Sequence, residues 1–148
     1  MEILIDKFDG EYAFLSNFYY SPITLEDITY PTVEHYFQAM KTMDINARKE
    51  IAAAETPGKA KRMGRAVVLR PDWEAVKIDV MRKGLVEKFK IPELREKLLA
   101  TGDARLKEGT TWHDNIWGSC SCANCGDRGR NLLGMLLENV RAEINNLF

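Results

Sequence analysis

Cysteine is scarce and confined to one place: three residues in 148, all between positions 120 and 125. An odd count in one short stretch excludes a disulfide framework. The first residues, Met1 to Lys7, lack a basic region followed by an apolar run and a small-residue cleavage site. A cytoplasmic location with reduced thiols is therefore expected. No apolar run approaches the roughly 20 residues of a membrane span, so no membrane partner is expected. Neither charge dominates, with Lys+Arg at 21 against Asp+Glu at 22. That balance argues against general attraction to duplex nucleic acid, although a local anion site remains open. Histidine occurs only as His35 and His113, which limits imidazole bases to two candidates. The glycines form no phosphate-loop or dinucleotide fingerprint, and no cofactor is expected. There is no internal repeat or low-complexity tract. The length fits one compact domain spanning residues 1–148, with 45% hydrophobic and 29% charged residues.

The most informative stretch runs from Tyr30 to Lys41. Thr32 reads as an N-cap with Val33 the first helical residue, which puts Glu34 in the first turn. At helical spacing Val33, Tyr36, Phe37, Met40 and Met43 share an apolar arc, and Glu34, Gln38 and Lys41 line its border. Glu34 and Lys41 stand two turns apart, roughly 10 Å along a continuous helix. An acid, an amide and an amine in one stripe form a candidate reaction centre. The ordinary alternative is the solvated side of an amphipathic helix.

Around it the pattern is mixed. The first thirty residues carry strand chemistry: an apolar run at Ile3–Ile5, and Ile23–Leu25 with Ile28–Tyr30 as a hairpin about Glu26-Asp27. After Pro31 the chain reads as mostly helical, punctuated at Pro57, Gly64, Pro71, Pro92 and Gly102. Thr56-Pro57 looks like an N-cap and first helical residue. Beyond it Lys59, Lys61, Arg62, Arg65 and Arg70 offer either a phosphate dock or an exposed basic face. A helix from an Asp72 N-cap has Trp73, Val76 and Val80 on one side and Ile78, Met81, Leu85 and Phe89 on another, which predicts a central helix. Leu133, Leu136, Leu137, Val140, Ile144 and Leu147 predict a terminal helix docked on the core. The fold class expected is α+β: mostly helical, with a few short N-terminal strands.

Between Gly102 and Gly129 periodicity disappears, and long loops of this kind are often functional. Trp112, His113, Asp114 and Trp117 together suit a flat ring, though a core-anchor role is commoner for any one tryptophan. A carboxylate between two indoles must face solvent or have partners. For Cys120, Cys122 and Cys125 the expectation is free thiols without metal. The alternative is a structural zinc on three thiolates plus His113.

Six ordered motifs carry a resemblance over nearly the whole chain. They are Tyr12-x-Phe14-Leu15-Ser16-Asn17-Phe18-Tyr19, Tyr30 to Lys41, Arg70-Pro71-Asp72-Trp73-Glu74, Thr101-Gly102-Asp103, Trp112-His113-Asp114-x-x-Trp117-Gly118, and Gly129-Arg130-Asn131-Leu132-Leu133-Gly134. In these the chain resembles the NADAR, or YbiA-like, family of N-glycosidases. The resemblance implies a compact YbiA-like α+β fold and hydrolysis of a C–N ribosyl bond in a nucleotide-like small molecule. The substrate implied is a ribosylaminopyrimidine phosphate of riboflavin biosynthesis or ADP-ribosylated guanine, including guanine in nucleic acid. It places functional positions on Glu34, Trp73, Asp114 and Trp117, with Lys41 a further reactive candidate. The cysteine-bearing loop departs from the family pattern.

C–N ribosyl cleavage passes through an electron-poor sugar, so the site needs negative charge at the anomeric carbon and help for the departing nitrogen. Glu34 meets the first need, and its place at a helix start favours the ionised form. Asp114 is a second carboxylate for water activation or ribose binding. Trp73 and Trp117 are expected to hold a ring, and Asn17 and Asn131 a sugar or phosphate, with Phe18 and Gln38 as further substrate contacts. Lys41 is a candidate for attack on the sugar carbon through a Schiff base, which requires a depressed pKa. A non-catalytic reader of ADP-ribose or nucleotides is the competing reading.

Overall fold

The computed structural model describes residues 3–147, and of residue 147 the backbone alone. Met1, Glu2 and Phe148 lie outside the described residues, as does the expected apolar contribution of the Leu147 side chain. Six α-helices, one 3₁₀ segment and six short strands occur among the described residues, an α+β fold. The chain divides into two compact units, Asn17–Lys90 and Met1–Ser16 with Ile91–Phe148. No helix among the described residues is long and apolar enough to cross a membrane.

In the unit Asn17–Lys90, an antiparallel hairpin pairs β2 (Ile23–Leu25) with β3 (Ile28–Tyr30), Leu25 opposite Ile28. Its two-residue turn works because Glu26 and Asp27 both adopt positive φ, 52° and 64°, the handedness that matches strand twist. Four helices follow: α1 (Val33–Ala39), α2 (Ile45–Ala52), α3 (Pro57–Gly64) and α4 (Trp73–Lys88). α1 packs against the other three, and every residue in it is buried.

Thr32 caps α1, its hydroxyl accepting from the His35 N–H at 3.1 Å, and Thr56 caps α3 in the same way at 3.0 Å. Such caps contribute about 1 kcal/mol each. Asp72 departs from expectation. It precedes α4 but makes no side-chain cap, because both carboxylate oxygens are taken by Arg70 at 2.7 and 3.1 Å. α4 is also less central than its two apolar sides predict. Trp73, Met81, Leu85 and Phe89 are buried, whereas Ile78 is exposed and Val76 and Val80 are half-buried.

The second unit contains β1 (Leu4–Ile5), a 3₁₀ segment (Gly10–Leu15), α5 (Pro92–Ala100), β4 (Arg105–Leu106), β5 (Gly109–Thr110), β6 (Ser119–Cys120) and α6 (Leu132–Leu147). β1 pairs parallel with β4, and β5 pairs parallel with β6. Sequence alone predicts neither the 3₁₀ segment nor β4 to β6. The two-residue bridges depend on partners distant in the chain rather than on local propensity. α6 behaves as its periodicity predicts: Leu133, Leu136, Leu137, Val140 and Ile144 are buried, each worth roughly 2 kcal/mol of gross burial.

Candidate functional site

The reaction-centre stripe lies in the Asn17–Lys90 unit. The solvated-face alternative is excluded there, because Glu34 is 8% exposed and Gln38 3%. Gln38 Nε2 donates to Glu34 Oε1 at 2.8 Å. The other end of that amide, Gln38 Oε1, is buried without a partner, as is Asn17 Oδ1. Asn17 packs into the same group: its backbone carbonyl accepts the Glu34 N–H at 3.1 Å, and its Nδ2 lies 3.4 Å from Met81 Sδ. Two buried acceptors without donors in one such group are exceptional in a folded core. Gly64 permits this arrangement. A Cβ at that position would land on Gln38 Oε1 and stand 2.9 Å from its Cδ.

Lys41 lies just beyond α1, not on it, since the helix ends at Ala39. For the same reason Met43, expected on the apolar arc, is exposed. Arg70 fixes the exit of the helix. Its backbone N–H donates to Lys41 O at 2.8 Å, its guanidinium reaches Met40 O at 3.4 Å, and Asp72 grips the guanidinium from outside. A cation is well placed against the C-terminal carbonyls of a helix. The Lys41 ammonium stands 5.8 Å from the centre of the Phe37 ring. Burial holds its pKa below the ordinary lysine value, Glu34 works against this, and Arg65 and Lys61 push it lower still. Lys61 of α3 and Arg65 just beyond its end are therefore electrostatically coupled to Lys41. Trp73 is buried and tilted against Phe37, with ring centres 5.0 Å apart, while Phe18 is exposed.

His35 is not available as a base. It is 1% exposed, its Nδ1 lies 2.8 Å from the Thr32 hydroxyl and its Nε2 3.0 Å from the Ala54 carbonyl. A carbonyl can only accept, so Nε2 carries a proton, and in the neutral ring that burial favours Nδ1 accepts from the Thr32 hydroxyl. Burial lowers its pKa, partly offset by the bond to Ala54. Lys88, unremarked in the sequence, is fully buried, with its ammonium 5.7 Å from the Tyr19 ring centre and 5.3 Å from that of Phe89. No sequence signal separates it from Lys83, exposed on the same helix.

Asp114, Trp117 and Asn131 belong to the other unit. Asp114 does have partners: its Oδ1 accepts from the N–H groups of Ile116 at 3.2 Å, Trp117 at 3.0 Å and Gly118 at 3.5 Å. The carboxylate thus shapes the turn that presents Trp117, which is half-buried, whereas Trp112 is 59% exposed and anchors no core. Asn131 bridges backbone, accepting from the Glu108 N–H at 3.0 Å and donating to Leu106 O at 2.9 Å. His113 lies against all three thiols, an arrangement that no spacing rule in the sequence specifies. The thiol of Cys120 is brought down to about 6, chiefly by the backbone N–H of Cys122.

Known proteins match this chain over most of its length. The model of the NADAR domain matches residues 5–145. N-glycosidase YbiA of Escherichia coli (strain K12) is 44% identical over 137 residues, covering 90% of this chain and 82% of the relative. Riboflavin biosynthesis protein VVA0006 of Vibrio vulnificus (strain YJ016) is 39% identical over 140 residues, covering 92% of this chain and 36% of that longer protein. The NMR structure of the E. coli protein YbiA agrees with the present fold at a TM-score of 0.82 and 41% identity, covering 99% of this chain and 88% of that one.

Proposed function

The chain belongs to the NADAR family, and from that membership we propose that it is an N-glycosidase that hydrolyses the C–N ribosyl bond of a phosphorylated, nucleotide-like substrate in the cytoplasm. The reading takes residues 1–148 as one NADAR domain, supported by a family match that runs from residue 5 to 145. The observation that carries it is the buried Glu34–Gln38 pair, placed beside a lysine whose proton affinity burial lowers.

Glu34 supplies negative charge to the developing oxocarbenium ion and orients the attacking water. Water adds to the anomeric carbon, the C–N bond breaks, and the departing nitrogen keeps the electron pair and takes a proton. Gln38 holds the carboxylate in one rotamer. Asn17 Oδ1 and Gln38 Oε1, acceptors without donors, receive sugar hydroxyls. In a second route the neutral Lys41 amine displaces the base from the same carbon, the sugar ring then opens as its C–O bond breaks and the ring oxygen takes the amine's proton, and water hydrolyses the resulting imine to free the sugar and the lysine. The depressed proton affinity of Lys41 supports this route, since only the neutral amine is nucleophilic. Lys61 and Arg65, which act on Lys41 through their charge, supply the field for a substrate phosphate. Trp73 closes the apolar side of the group behind Phe37, and Phe18 offers an exposed ring. The family motif assigns Asp114 to water activation or ribose binding and Trp117 to a ring contact, and Asn131 is proposed as a hydrogen-bond partner for sugar or phosphate.

Two substrates fit this chemistry: a ribosylaminopyrimidine phosphate and ADP-ribosylated guanine. Separate incubations, with product followed by mass, distinguish them. Release of ribose phosphate or of ADP-ribose is expected from one of the two. Release from neither, by protein that still binds nucleotide, would leave a reader rather than an enzyme.

A further inference from the structure

The cysteines and His113 form a cluster that the glycosidase reading does not use. His113 Nδ1 stands 3.3 Å from Cys125 Sγ, 3.5 Å from Cys122 Sγ and 3.8 Å from Cys120 Sγ. All four ligand atoms lie within 4.8 Å of one another. A tetrahedral zinc with Zn–N near 2.05 Å and Zn–S near 2.3 Å has N···S edges of about 3.6 Å. The three observed edges straddle that length. We propose that His113, Cys120, Cys122 and Cys125 form a structural zinc site that pins the loop between β5 and α6.

The donor set specifies the metal class. Three thiolates and one imidazole in a four-coordinate arrangement suit zinc, and with all four positions filled by protein no site remains for water or substrate. Ordinary packing does not explain the cluster. Cys120 is buried, but Cys122 and Cys125 are half-buried and His113 is exposed, so the group opens to solvent on the side from which an ion enters.

The loop is held in shape around it. Cys120 lies in β6, and its N–H donates to Asn115 Oδ1 at 2.9 Å. The Cys122–Gly126 turn closes through Gly126 N–H to Cys122 O at 2.9 Å, and Gly126 takes φ +62°, a region open to glycine at little steric cost. Within that turn the Cys125 N–H points at Cys122 Sγ at 3.4 Å, the kind of donor that stabilises a thiolate. Asp127 ties the far end, accepting from Ser119 Oγ at 2.6 Å and Lys107 Nζ at 2.7 Å. His113 itself adopts φ 65°, an uncommon backbone state for a non-glycine residue and one that clusters at ligand-holding positions. Asp114 and Trp117 fall between the ligands His113 and Cys120, so a bound metal clamps both ends of the segment that carries them.

The test is metal analysis of the full chain, produced with zinc in the medium and purified under reducing conditions without chelator. About one zinc per chain is expected, and Cys122→Ser and Cys125→Ser should each reduce retention at least ~10-fold, since each removes one of four ligands. His113→Ala should weaken zinc at least ~100-fold in a competition titration with a chromogenic chelator. In case a serine variant fails to fold, wild-type protein stripped of metal is titrated with cobalt(II). Intense tetrahedral ligand-field bands with thiolate-to-cobalt charge transfer, saturating at one equivalent, support the site, and so does faster amide exchange across residues 113–127 after stripping. Retention below about 0.1 zinc per chain together with a weak six-coordinate cobalt spectrum would overturn it.

Discussion

Gln38 Nε2 donates to Glu34 Oε1 at 2.8 Å across one turn of a helix with no exposed face, while the opposite end of the same amide, Oε1, is buried without a donor. This pairing leaves the site able to accept a change of charge at position 34 without collapse. Rotating the Gln38 amide by half a turn would present its carbonyl to an amide at position 34.

Glu34→Gln is therefore expected to preserve folding and ligand affinity while reducing turnover at least ~100-fold, the scale of losing one electrostatic or acid–base group. Calorimetric binding and steady-state kinetics on the same preparation check it. Near-normal turnover would remove Glu34 from the chemistry.

Lys41 has a test independent of that one. If its amine attacks the sugar, borohydride added during turnover traps a covalent adduct on the protein, and Lys41→Ala abolishes the adduct. Because burial lowers its pKa, the neutral amine appears at lower pH than in free lysine. Then kcat/KM should rise with pH with its midpoint below roughly 10.4, the ordinary lysine value. Active enzyme that yields no adduct assigns the attack to water and makes Lys41 a phosphate or hydroxyl contact.

Gly64→Ala should act on Gln38 alone at first. The new Cβ lands on buried Gln38 atoms, so a destabilisation of about 1–3 kcal/mol is expected from overpacking. Displacing the Gln38 amide also frees the Glu34 carboxylate, and a fall in kcat/KM of about 10- to 100-fold should accompany the stability change. Urea unfolding and kinetics measure the two effects. Full activity in a destabilised variant would show that the amide does not position Glu34.

His35 makes stability depend on pH. Its folded pKa is depressed, so the unfolded chain binds the proton first as pH falls below roughly 6.5, and stability is lost from there down to the folded value. The contribution is fully present at higher pH. Urea midpoints should decline as pH falls below roughly 6.5, and ring-nitrogen NMR of the folded protein should show His35 taking up its second ring proton at lower pH than a free imidazole. A His35 ring that titrates at or above 6.5 would contradict the assignment.

Much of the fold can be read locally. Thr32 and Thr56 announce helix starts because their hydroxyls serve N–H groups three residues on, and the α6 leucines share one face whatever they dock against. Asp72 shows the limit of such reasoning. It has the right chemistry for a cap, but Arg70 competes for the same oxygens and wins with two charged hydrogen bonds.

Most helix starts, the turn of the hairpin, the stock of acids, amines and thiols and the motif order that marks the family can all be read along the chain. These depend on near neighbours, whose geometry the backbone dictates. What each group is able to do was set by packing between residues far apart in the chain. Packing of α2, α3 and α4 around α1 turned a border stripe into a buried acid–amide pair. The same packing lowered the proton affinity of Lys41 and tied up His35. Chain folding between β5 and α6 brought one imidazole to three thiols. Desolvation and convergence depend on residues distant in the chain, and spacing along a sequence carries no measure of either.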